Sequence, residues 1–137
     1  MVVDVLFPDR DVSDWTTNDG SLVAKLSFGK TSVMLTGDAT AQTEKIVLAG
    51  SREENLQSTI LKVGHHGSHT SSSSDFIKAV SPSYALISSG KDNNYGHPRQ
   101  VVLDTLSSFG AEIFRTDTLG NIIARSDGEN FKFSFQK

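Results

Sequence analysis

The chain has 137 residues, enough for one domain with a real core and giving no reason to invoke a second. Its net charge of −3 excludes a broad basic platform for nucleic acid but leaves room for a local phosphate site built around a metal. With no cysteine, disulfides and thiolate metal sites are excluded, and no apolar run approaches the roughly 20 residues of a membrane span.

Val2 to Phe7 alternates as a strand does and stops at Pro8; a strand entered with no preamble is what a piece of a longer chain would show. The polar loop Pro8 to Gly20 carries one large apolar group, Trp15, expected to lie over the edge of the core. Two apolar runs, Ser21 to Phe28 and Thr31 to Thr36, flank Gly29-Lys30 and predict a β-hairpin. Gly37-Asp38-Ala39 then leads to Thr40, a residue able to cap a helix over Ala41 to Ala49 with Gly50 as its stop. Ser51 to Ser58 reads as a solvated connector, and Thr59 to Val63 as a strand delivering Gly64-His65-His66-Gly67. A serine run, Ser71 to Ser74, enters a short helix over Asp75 to Val80, followed by a buried-type strand from Tyr84 to Ser89. Lys91 to His97 is turn-rich, and Pro98 suits the first position of a helix reaching Phe109, with Val102, Leu106 and Phe109 on one face. Strands at Glu112 to Arg115, Asn121 to Arg125 and Phe131 to Phe135 finish the chain, with turns at Asp117 to Gly120 and Asp127-Gly128. The fold class this pattern predicts is α/β, with a mixed sheet flanked by helices.

Asp38, His65, His66 and His97 share one local setting: each follows an apolar strand or its loop, lies by a glycine and precedes a predicted helix. In α/β architectures ligands gather beyond the carboxyl ends of strands, so these loops can converge. A carboxylate with imidazoles suits a divalent metal, zinc, manganese or iron, and hydrolysis by a metal-activated water follows from such a site. In an extended backbone His65 and His66 would point to opposite sides, one binding metal while the other braces it or meets substrate; His65 is favoured as the ligand. His97 stands between metal ligand and substrate contact, and His69 reads as a surface residue. Ser68 and the serine run could bind a phosphate, or simply cap a helix. No nucleophile elbow surrounds any serine.

Asn18-Asp19-Gly20-Ser21-Leu22-Val23, Leu35-Thr36-Gly37-Asp38, Leu61 through Ser68, Ser88-Ser89-Gly90 and Asn94-Tyr95-Gly96-His97-Pro98 together resemble the C-terminal half of a metallo-β-lactamase-fold domain. More narrowly they are similar to the hydrolase domain of the competence DNA-uptake channel protein ComEC and its free-standing relatives, as are Arg115-Thr116-Asp117-Thr118-Leu119-Gly120 and Asp127-Gly128. The resemblance implies half of an αββα sandwich over residues 1–137, one or two divalent ions in the complete domain, and phosphodiester hydrolysis with DNA as substrate. It implies Asp38 as a bridging carboxylate, His65 or His97 as a late ligand, and His66, Ser68, Asn94 and Tyr95 near the substrate. A non-catalytic scaffold, or a hydrolase of a non-nucleic phosphodiester, is the alternative.

One departure stands out: the family's His-x-His-x-Asp-His run does not occur in this sequence. The expectation is therefore a partial domain that by itself binds metal poorly and hydrolyses little. Such a domain should also expose apolar sheet surface or pair with a second copy.

Overall fold

The computed structural model describes all residues, Met1–Lys137. Its main sheet holds six strands in chain order: β1 (Val2–Phe7), β2 (Val23–Phe28), β3 (Thr31–Leu35), β4 (Ile60–Lys62), β5 (Tyr84–Ile87) and β6 (Glu112–Arg115). Neighbours among β1, β2 and β3 are antiparallel, joined across the expected Gly29-Lys30 turn, whereas β3 to β6 run parallel. Parallel neighbours need crossovers, and these carry α1 (Ala41–Gly50) and α2 (Glu53–Leu56), then α3 (Ser74–Val80), then α4 (Gln100–Ser108). Because parallel crossovers share one hand and the strand order never reverses, the helices fall on a single face. The fold class read from the sequence, α/β with a mixed sheet flanked by helices, is what the chain adopts.

Strand register separates the two faces. Lys25, Met34, Leu61, Ala85 and Ile113 lie side by side across the sheet. Met34, Leu61 and Ala85 join Val47, Leu56, Phe76, Ile77, Val80, Val102 and Leu106 in one buried cluster, with Ile113 packed against it. The adjacent row, Val5, Ala24, Leu35, Lys62, Leu86 and Phe114, belongs to the opposite face. There β7 (Asn121–Ser126) and β8 (Phe131–Gln136) form a separate two-stranded sheet. Phe133 sets its ring 4.7 Å from that of Tyr84 and 4.9 Å from that of Phe114, and Phe135 lies 5.2 Å from Phe114. The hairpin is tied down at its turn, where the Lys30 amide donates to Gly128 O at 2.6 Å. A side chain at residue 29 would collide with that same carbonyl, so glycine is required there. Beyond the hairpin the face is open: Val3 is 55% and Val5 60% exposed.

Several local expectations change. The polar connector contains α2, whose Leu56 is fully buried, because one apolar residue suffices to dock a single turn. Pro98 stands outside α4, which starts at Gln100 after an extended Arg99. Phe109 leaves the helical register at the C-cap and is exposed, so of the three expected residues Val102 and Leu106 are buried, and Leu103 packs beside them against the core. The turn at Asp117 to Gly120 is a one-turn helix, α5 (Thr116–Leu119). Trp15 rests on Phe7, ring centroids 5.6 Å apart, at the edge of the core as expected. No helix is long and apolar enough to cross a membrane.

Candidate functional site

The carboxyl ends of β3, β4 and β5 lie along one edge of the sheet, and the loops that follow carry Asp38, the histidine pair, and residues 88–97. Backbone bonds lace these loops together. His65 N donates to Gly37 O at 3.1 Å, and Arg99 N donates to Gly67 O at 2.9 Å. Ser21 Oγ accepts from the Asp38 amide at 3.2 Å, so the Asn18 to Val23 segment holds the Asp38 turn. Asp19 reinforces it through Thr40 Oγ1, and the bonds from Thr40 and Thr16 keep the Asp19 carboxyl below its usual range.

Gly64 to Gly67 forms a 3-10 turn in which His65 and His66 both take left-handed backbone angles, φ 48° and 56°. The chain is therefore not extended at the pair, and the alternation expected of an extended strand does not apply. Gly67, also at positive φ, lies where a Cβ would stand 2.5 Å from Pro98 Cβ. Only glycine lets the loop of His97 close on the histidine turn.

His66, rather than His65, faces Asp38: its Nε2 lies 3.7 Å from Asp38 Oδ1. His66 Nδ1 is 2.7 Å from Ser88 O. A carbonyl can only accept, so Nδ1 carries the proton, and in the neutral ring Nε2 presents a lone pair to the carboxylate. Both acceptors are open to solvent, 49% and 41% exposed, so water or a cation has access to the space between them. Two donors of one tetrahedral zinc stand about 3.3 Å apart, close to this separation. His65 turns elsewhere, with Nδ1 3.3 Å from Thr70 Oγ1 and its ring edge-on to His97 at 5.8 Å. Burial first, then the neighbouring His65, Arg99, His66 and His69, push the His97 imidazole below its usual pKa, which favours the neutral ring. Lys62 lies half-buried behind the site, its Nζ donating to Val63 O at 2.9 Å. Burial lowers its pKa against the pull of Asp38.

The donors thus come as two pairs, Asp38 with His66 and His65 with His97. No three His, Asp or Glu side chains converge to hold an ion, so the chain alone does not fit a three-ligand metal centre. Ser68 is buried and spends its hydroxyl on Thr70, bracing the loop. Asn94 and Tyr95 are exposed at the rim.

Three supporting residues escaped the sequence reading. Asn93 clamps the rim loop, its Nδ2 donating to Gly90 O and His97 O while Oδ1 accepts the His97 amide. Thr70 anchors the serine loop to α1 through Ala41 N. Glu44, buried in α1, accepts the amides of Ser72 at 2.6 Å and Ser73 at 2.9 Å, fixing the entry to α3. Asparagine in a turn was the available signal for Asn93, while nothing local marks Glu44, whose partners lie far along the chain.

No protein-family model matches the chain. It is 42% identical over 103 residues to competence protein ComA of Neisseria gonorrhoeae, a match covering 75% of this chain and 15% of that protein. ComE operon protein 3 of Bacillus subtilis is 41% identical over 105 residues, covering 77% of the chain and 13% of the relative. Recombination protein 2 of Haemophilus influenzae is 36% identical over the same shares. The chain therefore spans 13–15% of the length of these relatives, and what the comparisons give is similarity to one stretch of bacterial proteins named for competence and recombination.

Proposed function

We propose that the chain is the part of a bacterial competence protein for DNA uptake that supplies one wall of a divalent-metal phosphodiesterase site. The ion would be zinc or manganese, the substrate a DNA strand, and the missing donors would come from elsewhere in a longer protein. The observation that carries this reading is the meeting of Asp38 Oδ1 and the Nε2 of His66, oriented by Ser88 O, beyond the ends of parallel strands. Similarity to competence proteins supports the setting and not the chemistry. In this reading Asp38 and His66 offer two donor atoms, Ser88 O fixes the imidazole, and His65 with His97 lines the approach.

Manganese or zinc titrated into the full-length protein, with cleavage of a labelled DNA strand as readout, tests the reading. Metal-dependent cleavage that falls about 100-fold or more in Asp38→Ala is expected, since even the partners of metal ligands are worth 10- to 100-fold. Absence of metal binding, or cleavage indifferent to Asp38→Ala, ends the hydrolase reading. A second reading, a non-catalytic module of a competence protein, is favoured by the lack of three converging donors within the chain. There metal would leave the melting temperature of the full-length protein unmoved.

A further inference from the structure

Adjoining the Asp38–His66 pair, and sharing His66 with it, the same edge carries a cavity of about 200 Å³ lined also by Ser89, Gly90, Asn93, Tyr95 and His97. Tyr95 supplies its one hydrophobic side chain, and that ring is 74% exposed. An exposed aromatic on a floppy loop means little, but this loop is fixed by the three Asn93 hydrogen bonds, of 2.7 to 3.0 Å. The Tyr95 ring is stacked on His97 at 5.8 Å with the planes 26° apart, and His97 meets His65 edge-on at 5.8 Å. A ladder of rings thus leads from solvent toward the histidine turn. Beside it Arg99 rests against Gly96, its Nη1 3.4 Å from where a Cβ would stand. Arg99 takes part in none of the chain's ion pairs, so its charge is available to a ligand.

From this arrangement we infer that Tyr95 is a stacking platform for one unpaired nucleobase, with Arg99 contacting the adjoining phosphate, so that the ligand is single-stranded DNA. The inference rests on the proposed function and names the form of DNA that the site takes. A cavity below the roughly 300 Å³ of ordinary small-molecule sites suits a single ring system, and one flat apolar surface among polar neighbours suits a planar, polar-edged group. Bases inside a duplex offer no free face, whereas single strands bind proteins by stacking on aromatic rings alongside cationic groups that follow the backbone.

The test uses the 137-residue chain with EDTA present, so that binding is read without turnover. An oligothymidylate with one central 2-aminopurine is titrated, following anisotropy together with quenching of the aminopurine. The expected result is binding to the single strand above its duplex, quenching on binding, and weakening by about 5- to 150-fold in Tyr95→Ala. Tyr95→Phe should bind within about twofold of the parent, because phenylalanine keeps the stacking face. Arg99→Ala should weaken binding and flatten the salt dependence by about 0.7 in log–log slope. Undiminished binding by Tyr95→Ala, a Tyr95→Phe as weak as the alanine variant, or equal preference for duplex overturns the platform and leaves the metal-dependent cleavage assay to judge the hydrolase reading. A chain that binds no strand at all also overturns it, whereas loss of cleavage with intact stacking overturns the hydrolase reading alone.

Discussion

The two faces of the main sheet differ in how they are closed. On the helix side Met34, Leu61, Ala85 and Ile87 are sealed beneath Phe76, Ile77, Val80 and Leu106, all less than 2% exposed. On the other side the β7–β8 hairpin seals one end, over Tyr84 and Phe114, while Val3, Val5 and Leu35 remain 36% to 60% exposed. The helix face is where burial stabilises this chain, and the open face is where another surface can be added with little local rearrangement. The site loops leave the sheet at its carboxyl edge, where the faces meet, so a layer on the open face would also border the Asp38–His66 pair.

Substitutions on each side can break that contrast. Phe76→Ala, on the buried side of α3, should cost about 4 kcal/mol by urea denaturation; a loss below about 1 kcal/mol would mean the helix layer is not the stabilising one. Glu44→Ala leaves the Ser72 and Ser73 amides without their acceptor and should cost about 3 kcal/mol. Glu44→Gln sharpens the point through pH. Burial raises the Glu44 pKa above its ordinary 4.5, against the lowering effect of its hydrogen bonds. The folded state therefore holds this proton more tightly than the unfolded one, and the stability it contributes is complete below pH 4.5 and lost as pH rises through the raised value. The parent should accordingly gain on the glutamine variant as pH falls from neutral toward 4.5; a flat difference contradicts it.

Smaller effects belong to the other face. Phe133→Ala removes the ring between Tyr84 and Phe114 and should cost about 2 kcal/mol, with hydrogen exchange rising first in β7 and β8. Val5→Thr, in the open row, should change stability by less than about 0.5 kcal/mol. A large loss there would show that the row is already covered, and sedimentation at rising concentration would tell whether a second copy covers it.

Much of the architecture is legible in the chain. The hairpin at Gly29-Lys30, the helix after Thr40 and the strands at 60–62 and 84–87 follow from periodicity and glycine stops, which are local signals. The hairpin β7–β8 was visible as two strands, but its place over Tyr84 was not, because aromatic packing across distant segments leaves no local trace. At the site, alternation misjudged the histidine pair: left-handed angles at His65 and His66 replace the extended backbone on which alternation depends. Asn93 and Glu44 were passed over for a related reason, since a turn asparagine or a helical glutamate shows its importance only through what it touches.

By itself the sequence determined which segments become strands and helices, that Asp38, His65, His66 and His97 sit in loops after strands, and that no thiolate takes part. Tertiary structure alone decided that His66 turns to Asp38 while His65 turns to His97, and that only one face of the sheet is fully covered. The physical reason is range. Periodicity and turn chemistry act over a few neighbouring residues, whereas the Ser88 carbonyl that orients His66 and the Pro98 ring against Gly67 come from other loops and meet only once the chain has packed.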